Sequence, residues 1–375
     1  MRQLVVDLSA LRRNIRTLQA TMGGIPIYGV CKANGFGMGL VPFAKTLVQE
    51  GISTLCVASI DDARILREAG ISCEILLLTS TSLKSEAEEI LRLDLMAAIG
   101  SRTAARVLEE TATRRGETVK IHVKLDTGFG RFGFRPGEEA DCAALLRECP
   151  HLQPIGVFSH FSRSFSTAST TADQLALFLN MVQRLEAEKL TFETRHLANS
   201  CGALLHPNTR LDAVRIGSAF VGRLPMPSPV KLERLGRFEC EVAELHELPK
   251  GHNVGYTNVY FTRRPTRTAV LTAGVADGLG HVRGKDAFRP IDRIRYLWHS
   301  VKGLFGNPAL HCTIRGKRLP TLGRIGLTNT VVDVTDLASV EVGDLAVFDL
   351  NPLFVDSAVP RRYLDEQTPS GEVSP

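Results

Sequence analysis

Residues 26–59 read PIYGVCKANGFGMGLVPFAKTLVQEGISTLCVAS, two short apolar runs on either side of a helical pattern. Pro26–Ala33 is a short apolar run ending near a lysine, Val41–Glu50 carries apolar residues at helical spacing, and Thr54–Ser59 is a second strand-like run. Two buried strands separated by a helix lie parallel, because an antiparallel return needs only a tight turn. The alternation continues outward. Further candidate strands are Ile75–Ser80, Asp94–Ile99, Val119–Asp126, Pro154–Phe161, Arg195–Ser200 and Ala213–Phe220. Between and before them lie helical segments Ser9–Met22, Ile60–Ala69, Ser82–Leu93, Arg102–Arg115, Glu138–Glu148 and Thr171–Lys189, the first opened by an Asp7-Leu8-Ser9 cap. Eight such units predict an N-terminal (β/α)8 TIM-like barrel; a doubly wound sheet is the competitor, but no Gly-x-Gly-x-x-Gly follows the first strand.

The texture changes after Arg237. Short alternating runs at Thr268–Leu271, Arg318–Leu322, Thr330–Val334 and Leu345–Leu350, punctuated by Gly and Pro and without long helical patterns, predict a C-terminal all-β domain. The expected division is a barrel over residues 1–236, a β-domain over 237–365 and a flexible tail over 366–375.

The chain has 375 residues, 44% hydrophobic and 23% charged, so it can bury a sizeable core. Lys+Arg 45 against Asp+Glu 40 leaves a formal charge of +5 without any basic block, which argues against nucleic acid as a partner. No window is apolar and long enough for a spanning helix, and Asp7 interrupts the start before a secretory apolar region forms, so no membrane partner is expected. Eight scattered cysteines without a Cys-x-x-Cys pair fit reduced thiols in the cytoplasm, with no metal site expected.

In a barrel of this kind chemistry belongs at the carboxyl ends of the strands. Those ends carry Lys32, then Lys124 and Asp126 with Arg131 just beyond, His160, His196 with Asn199 and Ser200, and Arg215. Each alone reads as an ordinary surface or structural residue; their gathering at one mouth does not. A lysine desolvated there becomes a nucleophilic amine suited to Schiff-base chemistry. Glycines from Gly35 to Gly39 let backbone approach a ligand, and Ser200, Gly217 and Ser218 offer an anion site where barrels commonly hold phosphate. An imine-forming lysine opposite a phosphate cradle is what pyridoxal 5′-phosphate requires.

These residues carry a resemblance. Val30-Cys-Lys32-Ala-Asn-Gly-Phe-Gly-Met-Gly39 resembles the lysine signature of the alanine racemase family, the fold-type III pyridoxal phosphate enzymes. Val123-Lys-Leu-Asp-Thr-Gly-Phe-Gly-Arg131, Phe158-Ser-His160, His196-Leu-Ala-Asn-Ser200, Val214-Arg215-Ile-Gly217, Ala276-Asp-Gly278, Val331-Val-Asp-Val-Thr335 and Val359-Pro-Arg361 recur in the family's order. The resemblance implies an amino-acid racemase or epimerase acting on a small-molecule amino acid, working as a homodimer with shared active sites. It implies that Lys32 holds the cofactor and serves as base on one face of Cα. Arg215 then donates to the ring nitrogen, His196 steadies Arg215, and Ser200, Gly217 and Ser218 hold the phosphate. Arg131 sits near the cofactor's phenolic oxygen and the substrate carboxylate, and Lys124, carbamylated in some members, orients Arg131.

The departures are concentrated. Where the family has a tyrosine from the partner subunit as the base on the opposite face, this chain has Val275. Gly326-Leu327-Thr328 replaces groups bordering the substrate carboxylate, Phe36 replaces a phosphate-directed tyrosine, Met38 replaces a histidine, and Pro352 stands where another tyrosine is expected. With Arg131, Val275 and Leu327 then line an apolar, altered pocket that suits a substrate other than alanine. Three readings follow. The chain racemises with His160, His281, Tyr256 or a water on the vacated face. Or it is a one-base enzyme, with Lys32 or His160 as catalytic base, of the D-threonine aldolase or eliminating type. Or it is a catalytically silent carrier of the cofactor.

Overall fold

A computed structural model describes residues 1–281, 290–304, 309–366 and 372–373. They form two compact units, one of Asp7–Leu235 together with Asp365, the other of Met1–Val6 and Gly236–Leu364.

The chain opens with strand β1 (Arg2–Asp7) and then runs through eight strands: β2 (Ile27–Val30), β3 (Thr54–Val57), β4 (Glu74–Leu77), β5 (Met96–Ile99), β6 (Val119–Lys124), β7 (Leu152–Phe158), β8 (Thr194–His196) and β9 (Val214–Ile216). Strands β2 to β9 form one sheet in the order β8-β7-β6-β5-β4-β3-β2-β9, every pair of them parallel. A parallel bridge between His196 and Ala213, and the Arg215 N–H on the Ala198 carbonyl at 3.0 Å, join its two ends. The expected (β/α)8 barrel is therefore present. Burial explains the strands: all four residues of β3 and of β5 are buried, the continuous apolar pattern of a sheet covered on both faces. The helices cover it with one face each, as Leu8–Met22 does through Leu11, Ile15 and Leu18 while Arg13 and Arg16 stay outside.

Several predicted strands end earlier than expected. Arg195–Ser200 stops at His196 because Ser200 begins a helix, Ser200–Leu205, capped by the Asn199 side chain accepting from Gly202 N–H at 2.9 Å. Ala213–Phe220 stops at Ile216 because Gly217 starts a turn.

The second unit is antiparallel. Strand β10 (Gly236–Leu248) pairs with β1 along Arg2–Val6, and with β11 (Thr266–Leu271) and β15 (Leu345–Phe348); β12 (His311–Ile314), β13 (Lys317–Leu322) and β14 (Thr330–Asp333) complete the sheet with β16 (Arg361–Leu364) and β17 (Glu372–Val373). Of the expected tail, Glu372–Val373 pairs with Tyr363–Leu364, and residues 367–371 and 374–375 lie outside those described. The expectation of no long helix in this half is corrected by a 15-residue helix, Pro290–Leu304. Pro290 starts it with a preset φ, and Ile291, Ile294, Leu297 and Trp298 lie on it exposed rather than in a core.

A buried ion cluster ties the barrel's first helix to Asp365. Arg12, 8% exposed, donates to Glu50 at 3.1 Å, Gln49 at 2.7 Å and Asp365 at 3.0 Å, and Ser9 Oγ donates to the other Asp365 oxygen at 3.3 Å. Arg12→Leu removes three donated bonds, two of them to carboxylates, while Glu50 keeps Arg16 at 2.7 Å and Asp365 keeps Ser9, so the barrel is expected to lose about 1–3 kcal/mol, read as a lower urea midpoint for its unfolding. Among the described residues no helix is long and apolar enough to cross a membrane, and all eight cysteines are free thiols.

Candidate active site

The loop behind β2 is strained. Ala33, Asn34, Gly35 and Phe36 follow Lys32 with φ of 54°, 53°, 60° and 58°, a left-handed helical turn. Three of the four carry a Cβ, at a cost of about 1–2 kcal/mol each, so the surroundings must hold the turn in place. Asn34 does so: its Oδ1 accepts from Leu40 N–H at 2.8 Å and its carbonyl from Gly37 and Gly39 N–H, both at 3.0 Å. The result presents Lys32 at the barrel mouth, exposed, with desolvation by its walls and the guanidinium groups of Arg131 and Arg215 holding its pKa below the ordinary lysine value.

Arg215, on β9 and 3% exposed, is the hub. Its Nη1 donates to His196 Nδ1 at 2.6 Å and His196 O at 3.0 Å, and its Nη2 to Ser159 O at 2.6 Å, Leu197 O at 3.1 Å and His160 Nδ1 at 3.3 Å. That engages four of the five guanidinium protons and leaves the Nε–H without a partner among the described residues. Arginine has no acceptor, so His160 and His196 both offer bare Nδ1 atoms to it and carry their protons on Nε2. Burial, then Arg215, keeps both imidazoles neutral well below the usual histidine range. The nitrogen that His160 keeps away from Arg215 is therefore the protonated Nε2.

Lys124 lies 5% exposed with Nζ 4.3 Å from the centre of the Phe158 ring; burial, then Arg215 and Arg131, lowers its pKa to about 7. Asp126 next to it folds the glycine loop, accepting from the N–H groups of Gly128, Phe129 and Gly130 at 2.8–3.1 Å. That loop carries Arg131, exposed, its guanidinium over the Phe129 ring at 4.6 Å and in no ion pair among the described residues.

Ser200 Oγ accepts from Gly217 N–H at 3.0 Å and Ala219 N–H at 3.4 Å, which leaves its own proton to give. Gly217 contributes space: a Cβ there would lie 2.6 Å from the Phe36 ring and 3.2 Å from Val30. The Ser218 N–H and hydroxyl make no hydrogen bond among the described residues. The donor set fits pyridoxal 5′-phosphate. Two serine hydroxyls and an amide suit the phosphate, an accessible low-pKa amine suits the aldehyde, and a lone Nε–H suits an unprotonated ring nitrogen.

The structure thus brings Lys32, Lys124, Arg131, His160, His196, Ser200, Arg215, Gly217 and Ser218 to one end of one barrel. The sequence reading missed His122, 1% exposed, whose Nδ1 is 2.8 Å from His196 Nε2. The signal was available: two residues before Lys124, it shares that residue's inward face of β6.

Val275 and Leu327 lie in the β-domain and are neighbours there. The N–H groups of Val275 and Ala276 donate to the Gly326 and Leu327 carbonyls, each at 2.9 Å. Asp277 locks the turn by accepting from Gly274 N–H at 2.9 Å and pairing with Arg2 at 2.7 Å. Val275 is half-buried, while Leu327 and Tyr256 are each 68% exposed and His281 is exposed. No group of three or more metal-ligating side chains is clustered among the described residues.

Comparison with known proteins bears on the family and the fold. Residues 6–225 match the family model described as alanine racemase, N-terminal domain, and residues 236–351 match alanine racemase, C-terminal domain. The chain is 32% identical over 351 residues to alanine racemase 2 of Caldanaerobacter subterraneus, spanning 91% of this chain and 84% of that one. It is 33% identical over 357 residues to the alanine racemase of Desulfosudis oleivorans, spanning 91% and 85%. Among solved structures, the alanine racemase of D-cycloserine-producing Streptomyces lavendulae superposes with TM-score 0.83 at 28% identity, covering 97% of each chain. That of Clostridium difficile, at 23% identity, superposes with TM-score 0.87 over 100% and 97%, a likeness of fold.

Proposed function

The chain belongs to the alanine racemase family, pyridoxal 5′-phosphate-dependent isomerases, and from that premise we propose that it racemises or epimerises an amino acid other than alanine. The observation that carries the reading is Arg215, held by four protons and left with one free Nε–H beside an accessible low-pKa lysine. When bound, the cofactor supplies an electron sink for the charge that develops at Cα. Arg215 would donate to the ring nitrogen without surrendering its proton, which would keep that sink weak and restrain side reactions. Lys32 would hold the aldehyde and would move the proton on one face of Cα. Ser200, Ser218 and the space at Gly217 hold the phosphate, and Arg131 meets the substrate carboxylate. His160 serves by its Nε2–H rather than as a base.

The other face is the altered one. In a homodimer with shared sites, Val275 and Leu327 of a second copy line the substrate pocket, and neither carries a proton to move. This supports a bulkier, more apolar side chain than alanine's, with water on the vacated face. The same observation favours the second reading, a one-base enzyme that eliminates or cleaves on the Lys32 side. Incubation with L- and D-amino acids in deuterated water separates the two. Racemisation is expected to exchange the α-proton of both enantiomers and to interconvert them; exchange from one enantiomer alone, or aldehyde released from a β-hydroxy substrate, would overturn the racemase reading. No turnover of any amino acid despite bound cofactor would leave the carrier.

Lys124 is poised for carbamylation: the neutral amine adds CO₂ and loses a proton, giving a carbamate anion that the nearby positive charges of Arg215 and Arg131 favour. Its pKa of about 7 also fixes a sign. Between about pH 7 and the ordinary lysine value of 10.5 the unfolded chain binds the Lys124 proton and the folded one does not. Its charge therefore destabilises the fold fully below about pH 7, and the effect vanishes above 10.5. In CO₂-free buffer, Lys124→Met is expected to melt above the parent at pH 6, the gap closing as pH rises.

A further inference from the structure

We infer that His122 is a positioning residue, which fixes the tautomer of His196 and through it the orientation of the Arg215 guanidinium. The inference rests on the proposed donation from Arg215 to the cofactor's ring nitrogen.

Arg215 can only donate, so the 2.6 Å contact requires a bare Nδ1 on His196. His196 is fully buried, and its remaining proton, on Nε2, must find an acceptor inside the protein. That acceptor is His122 Nδ1 at 2.8 Å. His122 then carries its own proton on Nε2, a buried atom with no partner among the described residues. Reversing His122 would set two N–H groups against each other, and His196 would relieve the clash by moving its proton to Nδ1, against the guanidinium. One hydrogen-bond polarity thus runs from Arg215 through His196 to His122.

The backbone makes room for this ring. The pairing of β6 with β7 slips between Ile121 and His122, so that Gly156 stands opposite His122. A Cβ at position 156 would lie 2.2 Å from His122 Nδ1. The site is otherwise lined by rings, with Tyr28, Phe158 and His196 all within 6.4 Å of the His122 centroid. An apolar ring would fill such a space as well, trading the stranded His122 Nε2–H for a stranded His196 Nε2–H. What only His122 supplies is the lone pair.

Two substitutions separate the lone pair from the bulk. His122→Phe keeps a ring and removes the acceptor; His122→Asn removes the ring and leaves an amide oxygen where Nδ1 stood. Ring nitrogens are read by NMR of ¹⁵N-histidine-labelled protein without cofactor, His196 being identified by its loss in His196→Gln. Kinetics and the visible spectrum are read on the holoenzyme. In the parent and in His122→Asn, His196 is expected as the pure Nε2–H tautomer, with kcat close to the parent's. His122→Phe is expected to show both tautomers and a kcat lower by about tenfold, the low end of what losing a histidine's outer partner costs at metal sites, with KM unchanged. Its melting temperature should stay close to the parent's, because one stranded N–H replaces another. Gly156→Ala, which displaces the ring, should behave as His122→Phe does. Should the phenylalanine variant retain tautomer and kcat while the asparagine variant loses them, His122 fills space and the inference fails; it fails equally if kcat drops with the tautomer unchanged. The tautomer is read without cofactor, so an error about the ring nitrogen is seen separately, as a visible spectrum identical in parent and His122→Phe.

Discussion

Lys32→Ala is expected to leave a folded protein that no longer retains its cofactor through borohydride reduction and denaturation, and whose turnover falls by about 10²–10⁴-fold or more. Two lysines in the barrel have lowered pKa values, so the assignment needs an argument. Lys124 is the more strongly shifted, to about 7, but lies 5% exposed on the Phe158 ring. Lys32 is exposed, and a left-handed turn is held in place behind it. An amine that must exchange between a cofactor and an incoming substrate needs room as well as nucleophilicity, and only Lys32 has both. Removal of Lys32 deletes both the covalent link and a base, whereas Lys124→Ala should keep the reducible link. A small amine added to Lys32→Ala is expected to restore part of the rate without restoring retention. If Lys32→Ala still carries reduced cofactor on the chain, the link belongs to another lysine and the account of the mouth is wrong.

The barrel was legible because each of its strands is a short apolar run fenced by an amphipathic helix, a local pattern that a closed parallel sheet imposes. Strand ends were overextended where polar turn chemistry takes over, as at Ser200 and Gly217. Strand β1 was not legible. Its partner β10 lies more than two hundred residues along the chain, and no local period announces such a pairing. The helix over Pro290–Leu304 was missed although Ile291, Ile294, Trp298 and Val301 follow helical spacing, because its apolar residues are exposed among short strand-like runs. The site followed the same division. Lys32, His196 and Arg215 could be read from their places at strand ends. That His160 is a donor, and that His122 sits behind His196, depends on which nitrogen faces Arg215, a fact of contact and not of spacing.

Val275→Tyr is expected to raise racemisation by about 10²–10⁴-fold, the contribution of one placed proton-transfer group. The position tolerates the change. Val275 is half-buried, starts a short 3-10 turn with Ala276 and Asp277, and is absent from the residues at positive φ, so a larger side chain meets no backbone penalty. Its N–H bond to Gly326 and the Asp277 bonds to Gly274 and Arg2 are made by other atoms and survive the substitution. A tyrosine hydroxyl, with its ordinary pKa near 10, suits a proton that Lys32 cannot reach from its own side. Val275→Phe is the control, adding the ring without the hydroxyl. It should leave racemisation unchanged or lower, and a gain equal to that of the tyrosine would mean packing, not proton transfer. Because the hydroxyl would act in the second copy's site, inactive Lys32→Ala mixed with Val275→Tyr should give a heterodimer whose one intact lysine faces the parental valine. In that heterodimer the gain is expected to vanish, whereas a tyrosine acting within its own chain would retain half of it.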